Sequence, residues 1–191
     1  MPMLVALGEL KVELQSPDSD DDYLETLIEQ ASASIETFCG RSFAAAEMTE
    51  TIRGDRQRGR LILDRVPVIS VAAVVLNGEA LPNGSWEVES AEAGFLLRVD
   101  ASGHSIGWPV GKVEVTYTAG FAPIPPDAER CCLDLCVRAY HARGRDPALR
   151  SYENPDVEKM SWSASDSVKT VDGLPEDIAG RLGGYRLVTI A

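Results

Sequence analysis

The sequence predicts an α+β protein, a small helical bundle with an inserted antiparallel β layer and an extended C-terminal arm. Apolar residues recur at helical spacing before residue 40 and again after residue 125. Between about 46 and 120 the apolar period changes to two, as in half-buried strands. After residue 145 the chain becomes polar and rich in serine. We therefore expect one domain over 1–145, with the β insertion at about 46–120, and an arm over 146–191.

Four helices are predicted, at 7–15, 22–39, 126–143 and 175–182. The second follows an acidic run, Asp18 to Asp22, which places carboxylates at the positive end of the helix dipole. That run lacks the central glycine and the final glutamate of a calcium-binding loop, so it indicates helix capping. Gly40 supplies a left-handed cap at the other end. We expect the core to draw on Leu24, Leu27, Ile28, Ile35, Phe38, Leu135 and Tyr140.

Antiparallel strands are predicted between the second and third helices, at 48–53, 60–64, 68–77, 85–89, 94–99 and 112–118. Asn77-Gly78 is a strong turn signal and indicates a hairpin. In the last strand Val113, Val115 and Tyr117 alternate with polar residues. A proline-rich connection leads from this strand into the third helix, so it joins the β layer to the helical layer.

Composition and charge exclude some classes of protein. The chain is 45% hydrophobic and 25% charged, as in soluble globular proteins. Its net charge of −12 argues against a general nucleic-acid binder, because phosphate binding requires clustered lysine and arginine. No apolar run approaches transmembrane length, and no basic segment precedes an apolar one at the N-terminus. We expect a protein that is made in the cytoplasm and has no membrane partner.

The thiols are the residues that most resemble a chemical site. Cys131, Cys132 and Cys136 share the third helix, and Cys39 lies near the end of the second. Thiolate metal sites usually take pairs of ligands from two elements, so this spacing favours reduced thiols packed in the core. The alternative is a cytoplasmic enzyme or regulatory domain with a thiol or metal site at the three clustered cysteines. Because no catalytic motif is present, we expect no catalytic, metal or cofactor site.

Two further stretches are candidates for contact with a partner. The loop between the first two strands carries four basic residues in an acidic protein, and an acidic partner or a phosphate would suit them. They are Arg53, Arg56, Arg58 and Arg60. The arm has a serine-rich stretch with alternating apolar residues from Met160 to Ala164, followed by an apolar C-terminal end. Exposing the apolar residues of both segments to water is unfavourable for a monomer, so we predict that this part of the chain is an assembly arm. Its expected anchors are Trp162, Tyr185, Arg186, Leu187 and Ile190.

Four pieces of the chain, taken in order, carry a resemblance to a known family. They are LGELKVEL, DSDDDYLETLIEQASASIETFCGRSF, LILDRVPVISVAAVVLNGEAL and VEVTYTAGFAPIPPDAERCCLDLCVRAYHAR. In this order and spacing the chain resembles the phage head–tail connector (adaptor) family of tailed phages, prophages and gene transfer agents.

The resemblance implies a structural virion protein without catalysis, whose copies form a ring beneath the portal, twelve-fold by that resemblance. Its implied partners are further copies of itself, the portal protein, and neck and tail completion proteins. DNA would pass through the lumen without specific binding. The protein would be made in the host cytoplasm and act in the virion neck, at the head–tail interface. In that setting we expect the basic loop to contact a neighbouring virion protein or the passing DNA.

Overall fold

The computed structural model describes residues 3–15, 20–55, 59–143, 151–154, 158–161 and 169–187. In chain order the elements are α1 (Leu7–Leu14), α2 (Asp21–Cys39), β1 (Ala46–Gly54), β2 (Arg60–Ile62), β3 (Val68–Leu76), β4 (Glu79–Ala80), β5 (Trp86–Ser90), β6 (Phe95–Val99), β7 (Ser105–Ile106), β8 (Gly111–Ala119), α3 (Pro126–Ala142), β9 (Ser151–Asn154), β10 (Glu158–Ser161), β11 (Thr170–Val171), β12 (Leu174–Pro175) and α4 (Glu176–Leu182). A short 3-10 turn follows at Gly183–Tyr185. The predicted α+β class is confirmed.

The chain divides into two compact units. The helical unit comprises Met1–Gly40 and Pro125–Ala191, and the β unit comprises Arg41–Ile124. All four predicted helices are present, and each boundary lies within one residue of its expected position. The six predicted strands are present as well, while the short strands β4, β7, β9, β11 and β12 were not predicted.

The core of the helical unit is built from the apolar faces of its helices. On α2 the apolar residues recur three and four positions apart, so they share one face and are buried together. Gly40 ends that helix in the left-handed conformation, with φ of 64°, as predicted. The buried helical side chains are Leu10, Leu24, Leu27, Ile28, Ala31, Ser32, Ile35, Phe38, Cys39, Ala128, Cys131, Cys132, Cys136, Ile178, Ala179 and Leu182.

Two residues predicted for this core are only half-buried. The buried face of α3 is occupied by small residues, Ala128 and the three cysteines, and Leu135 lies at its margin. Tyr140 lies near the end of α3, where its hydroxyl donates to the Asp20 carboxylate at 3.0 Å. Its ring lies 6.3 Å from that of Tyr23. Because its hydroxyl bonds a carboxylate at the rim, Tyr140 is amphipathic in this position.

The segment after β11, which the sequence assigns to the assembly arm, also contributes to the core of the helical unit. Leu174, Ile178, Ala179 and Leu182 are all buried. Removing the chain after Arg150 would therefore take apolar groups out of the helical core. The division at residue 146 stays a prediction.

The β unit contains two antiparallel sheets. The first has the strand order β1-β8-β3-β4, and the second has the order β2-β6-β5 with β7 on β6. In β8 the residues Val113, Val115 and Tyr117 are buried, and the polar residues between them are half-buried. Asn77 and Gly78 both have positive φ, 52° and 88°, and join β3 to β4. This is the hairpin that the sequence predicted.

Candidate assembly surfaces

The basic loop connects β1 of the first sheet to β2 of the second. Arg53 is exposed on β1, and Arg60 begins β2, whereas Arg56 and Arg58 lie outside the described residues. The Arg60 guanidinium pairs with Glu89 at 3.0 Å and lies 4.8 Å from the centre of the Phe95 ring. The β unit itself therefore positions Arg60.

Strand pairing adds one basic residue beside Arg53 that sequence reasoning missed. Lys112 of β8 lies directly opposite Arg53 of β1 in the ladder. The two residues line a surface cleft of about 400 Å³ together with Thr51, Gly54, Val110 and Gly111. The Lys112 ammonium pairs with Glu114 at 2.6 Å. Only the register of two strands 59 positions apart reveals this neighbour, since no local pattern connects them.

The residues after α4 contact the end of α2 in their own chain. The Arg186 guanidinium lies 5.1 Å from the centre of the Phe38 ring and pairs with Asp172 at 2.7 Å. The Leu187 N–H donates to the Cys39 carbonyl at 2.9 Å, so it satisfies one acceptor at the C-terminus of α2. Of the predicted arm anchors, Arg186 and Leu187 thus have partners within the subunit, and Tyr185 is half-buried. Trp162 and Ile190 lie outside the described residues.

Ion pairs fasten α4 to α3. The Arg138 guanidinium donates to both carboxylate oxygens of Asp177, and Arg181 donates to Asp134 at 2.7 Å. The hydrogen bond from Arg138 lowers the pKa of the Asp177 carboxyl. Arg130 extends the network, since it pairs with Asp134 at 3.0 Å and with Glu13 of α1 at 3.1 Å. These pairs are largely exposed, so they orient α4 more than they stabilise it.

The clustered cysteines form part of the helical core. Cys131, Cys132 and Cys136 are buried free thiols. The Ser32 hydroxyl lies 3.7 Å from the Cys132 sulfur and accepts the Leu4 N–H at 3.1 Å. Burial raises the pKa of the Cys131 thiol, and the hydrogen bond with Cys132, together with burial, raises that of Cys136.

Neither a metal site nor a membrane span is found in the described part of the chain. Within those ranges, no group of three or more histidine, cysteine, aspartate or glutamate residues is arranged to hold a metal ion. The described helices include none with the length and apolar character needed to cross a bilayer. The alternative of a thiol or metal site therefore finds no set of ligands among the described residues.

A family model identifies the protein family of the chain. The model of the head completion protein family matches residues 11–145, which is more than half of the 191 residues. The chain belongs to the head completion protein family. The head–tail connector family and role expected from the sequence are thereby confirmed, and the chain is a structural protein of the head–tail junction.

Three solved structures share the fold. The neck of an empty gene transfer agent particle computed with C6 symmetry has a TM-score of 0.60 at 17% identity. The neck of the native particle computed with C12 symmetry has a TM-score of 0.57 at 17% identity. The virion of the native particle has a TM-score of 0.57 at 16% identity. Each match covers 97% of this chain and 90% of the other. Among curated proteins, none matches the chain in sequence.

Proposed function

We propose that twelve copies of this chain form a ring in the neck of a phage-like particle, beneath the portal, where the ring joins the DNA-filled head to the tail. Membership of the head completion protein family is the observation that carries the proposal. The shared fold with a neck structure of C12 symmetry supports the subunit number.

The ring would be a passive conduit for DNA. A closed ring joins one patch of each subunit to a different patch of the next. The helical unit and the β unit would provide distinct contact surfaces for these two patches. A net charge of −12 disfavours adhesion to DNA, which would let the genome pass without specific binding. The function needs no catalysis and no cofactor, and the thiols would serve the helical core alone.

The basic loop and the arm would make the contacts outside the subunit. Arg53, with Lys112 opposite it, is the exposed basic pair available to a neighbouring virion protein or to passing DNA. The arm would act through residues 146–168 and 188–191, with Trp162 and Ile190 as anchors, since residues 174–187 already contact the helical unit. Its partners would be a neighbouring copy, the portal or the neck and tail completion proteins.

Particles made without the chain test this function. We expect DNA-filled heads that lack tails or leak DNA, and expression of the chain from a plasmid should restore tailed particles. The Cys132→Ala, Cys136→Ala variant provides a matched control that should restore them equally well. Fully infectious or fully transducing particles without the chain would exclude this role.

A further inference from the structure

Strand β1 presents an open edge in the β unit. It pairs with β8 in an uninterrupted antiparallel register from Ala46 opposite Ala119 to Gly54 opposite Gly111. On its other side, β1 pairs with no strand among the residues that the structure describes. A regular nine-residue edge of this kind is a template for another strand.

The register shows which backbone groups of β1 face outward. The Asn77 N–H donates to the Lys112 carbonyl at the end of β3, and the Gly120 N–H donates to Pro67 before the start of β3, so the backbone groups of Lys112 and Gly120 both face β3. Alternation along β8 then turns the backbone groups of Thr116 towards β3, so Thr116 and Thr49 form a non-hydrogen-bonded pair. Their hydroxyls lie 2.9 Å apart, as such close pairs allow. The N–H groups of Thr49 and Thr51 therefore point away from β8.

The opposite edge of the same sheet is blunted. Strand β3 has two register irregularities against β8, between Val68 and Ser70 and between Val71 and Ala73. It is also covered at both ends, where the Val68 N–H donates to Ala91 and β4 pairs with its last residues. Strand β1 has no bulge, no proline and no lysine; it carries the charged residues Glu47, Glu50 and Arg53, but no other strand covers its backbone edge among the described residues. The sheet is thus open on one side.

The β9–β10 hairpin is an element of this chain that such an edge would complete. Its strands have four residues each and pair only with each other among the described strands. A lone two-stranded hairpin is at best marginally stable in water, because its outer backbone groups and one face lack partners. The outer backbone N–H and C=O groups of the hairpin could pair with the outward-facing N–H and C=O groups of β1.

We propose that the β9–β10 hairpin of one copy adds to the β1 edge of the neighbouring copy and extends its four-stranded sheet. The contact joins two different patches, so it propagates head to tail and can close a ring. Main-chain hydrogen bonds would supply the affinity, as in other strand additions. This inference rests on the ring of the proposed function, and it assigns that ring an interface.

A proline at Thr49 tests the edge. Thr49→Pro removes an outward N–H without removing a β1–β8 hydrogen bond, whereas the matched control Thr49→Val keeps the N–H and the branched side chain. We expect Thr49→Pro to lower the number of copies incorporated per particle about tenfold, as the loss of one or two hydrogen bonds would. Thr49→Val should match the native chain, and both variants should keep the native melting temperature within a few degrees. Incorporation of Thr49→Pro at the native level would overturn the proposal.

Disulfide trapping provides a second test that leaves the backbone intact. Chains with Thr51→Cys are co-expressed with chains carrying a single Cys in place of one residue of β9 (Ser151–Asn154) or β10 (Glu158–Ser161), and particles are treated with a mild oxidant. We expect a cross-linked dimer for at least one of the eight positions, because they cover both strands of the hairpin. Ala73→Cys on the blunted β3 edge is the control and should not cross-link. Particles that incorporate all the chains but give no Thr51 cross-link would overturn the hairpin contact and leave the ring intact. Particles that never incorporate the native chain would overturn the proposed function itself.

Discussion

At the scale of single residues, the hydroxyl of the buried Tyr117 connects separate segments of the β unit through hydrogen bonds. The hydroxyl donates to the Glu50 carboxylate at 2.9 Å and accepts the Arg65 N–H at 3.1 Å. The same Glu50 oxygen accepts the Asp64 N–H at 3.1 Å. One tyrosine on β8 thus joins β1 to the turn that follows β2. A buried hydroxyl with two partners is costly to remove, because each partner then lacks its hydrogen bond.

Replacing Tyr117 by phenylalanine tests that role. We expect Tyr117→Phe to lower the free energy of unfolding of the β unit by about 1–3 kcal/mol, the cost of leaving buried partners unsatisfied. Denaturant unfolding monitored by circular dichroism would measure it. Tyr23→Phe, at a half-buried position of the other unit, is the control and should have a much smaller effect, because phenylalanine keeps the ring contacts with Tyr140 and Arg143. Equal stability of Tyr117→Phe and the native chain would contradict the role.

The same tyrosine gives a dependence on alkaline pH. Burial, aided by the neighbouring Glu50 carboxylate, raises the pKa of Tyr117 to about 12. The folded state therefore keeps this proton more tightly than the unfolded state, whose tyrosines titrate near about 10. The contribution to stability is complete below that value and is lost as the pH rises towards 12. We expect the stability difference between the native chain and Tyr117→Phe to shrink between pH 10 and 12, and a constant difference would contradict this.

The cysteines make a second residue-scale prediction. Cys132→Ala with Cys136→Ala removes two small buried groups, so we expect the free energy of unfolding to fall by no more than about 2 kcal/mol. Incorporation into particles should not change, because both side chains are buried in the helical core. Metal analysis of the native protein should find no stoichiometric zinc. Zinc that co-purifies and is lost in the double variant would contradict packing as their only role.

At the scale of elements, α4 belongs to the helical core and is oriented by exposed ion pairs. Ile178 is fully buried, whereas Asp177 beside it forms its pair with Arg138 at the surface. We expect Ile178→Ala to lower the free energy of unfolding of the helical unit by about 2–5 kcal/mol, because it leaves a cavity. The neighbouring Asp177→Asn should cost less than about 1 kcal/mol, since exposed pairs contribute little. Thermal unfolding of both variants would measure the difference, and similar losses would show that α4 is not packed as described.

The basic loop gives the second prediction about an element. Replacing Arg53, Arg56, Arg58 and Arg60 by serine should leave the melting temperature nearly unchanged, because the described residues Arg53 and Arg60 are exposed and exposed charges contribute little to stability. We expect fewer completed particles or poorer DNA retention, since the exposed basic side chains would contact a neighbour or DNA. Changing Lys112 alone is a milder variant that should weaken the same contact. Normal assembly and retention with the four-serine variant would show that the loop is only a solvated turn.

Local patterns predicted the elements of this fold well, and long-range pairing explains what they missed. The apolar face of α2, its cap at Gly40 and the Asn77-Gly78 turn depend on residues close in sequence, so this helix and the β3–β4 hairpin were predictable. Lys112 beside Arg53 and the open β1 edge depend on strand register, which alternation alone does not define. The packing of Leu174 and α4 on the helical unit was missed because a short apolar segment after a polar linker has the same sequence pattern whether it packs on its own subunit or on a neighbouring one.

At the scale of the whole molecule, the chain combines a helical unit made from both ends with a β unit inserted between them. The head completion family defines its place at the head–tail junction. In the proposed ring, the β unit supplies a sheet edge and the C-terminal segment supplies a hairpin. Repeating this contact from one copy to the next would close the ring. In that proposed ring, the acidic composition would disfavour adhesion of the DNA that passes through it.

Electron cryo-microscopy of the neck of particles that contain the chain tests the proposed role most directly. We expect twelve copies of the fold in a closed ring beneath the portal, with the helical and β units recognisable in each copy. Necks in which the ring beneath the portal is built from another protein, with this chain absent or located only in the head shell or tail tube, would contradict that role.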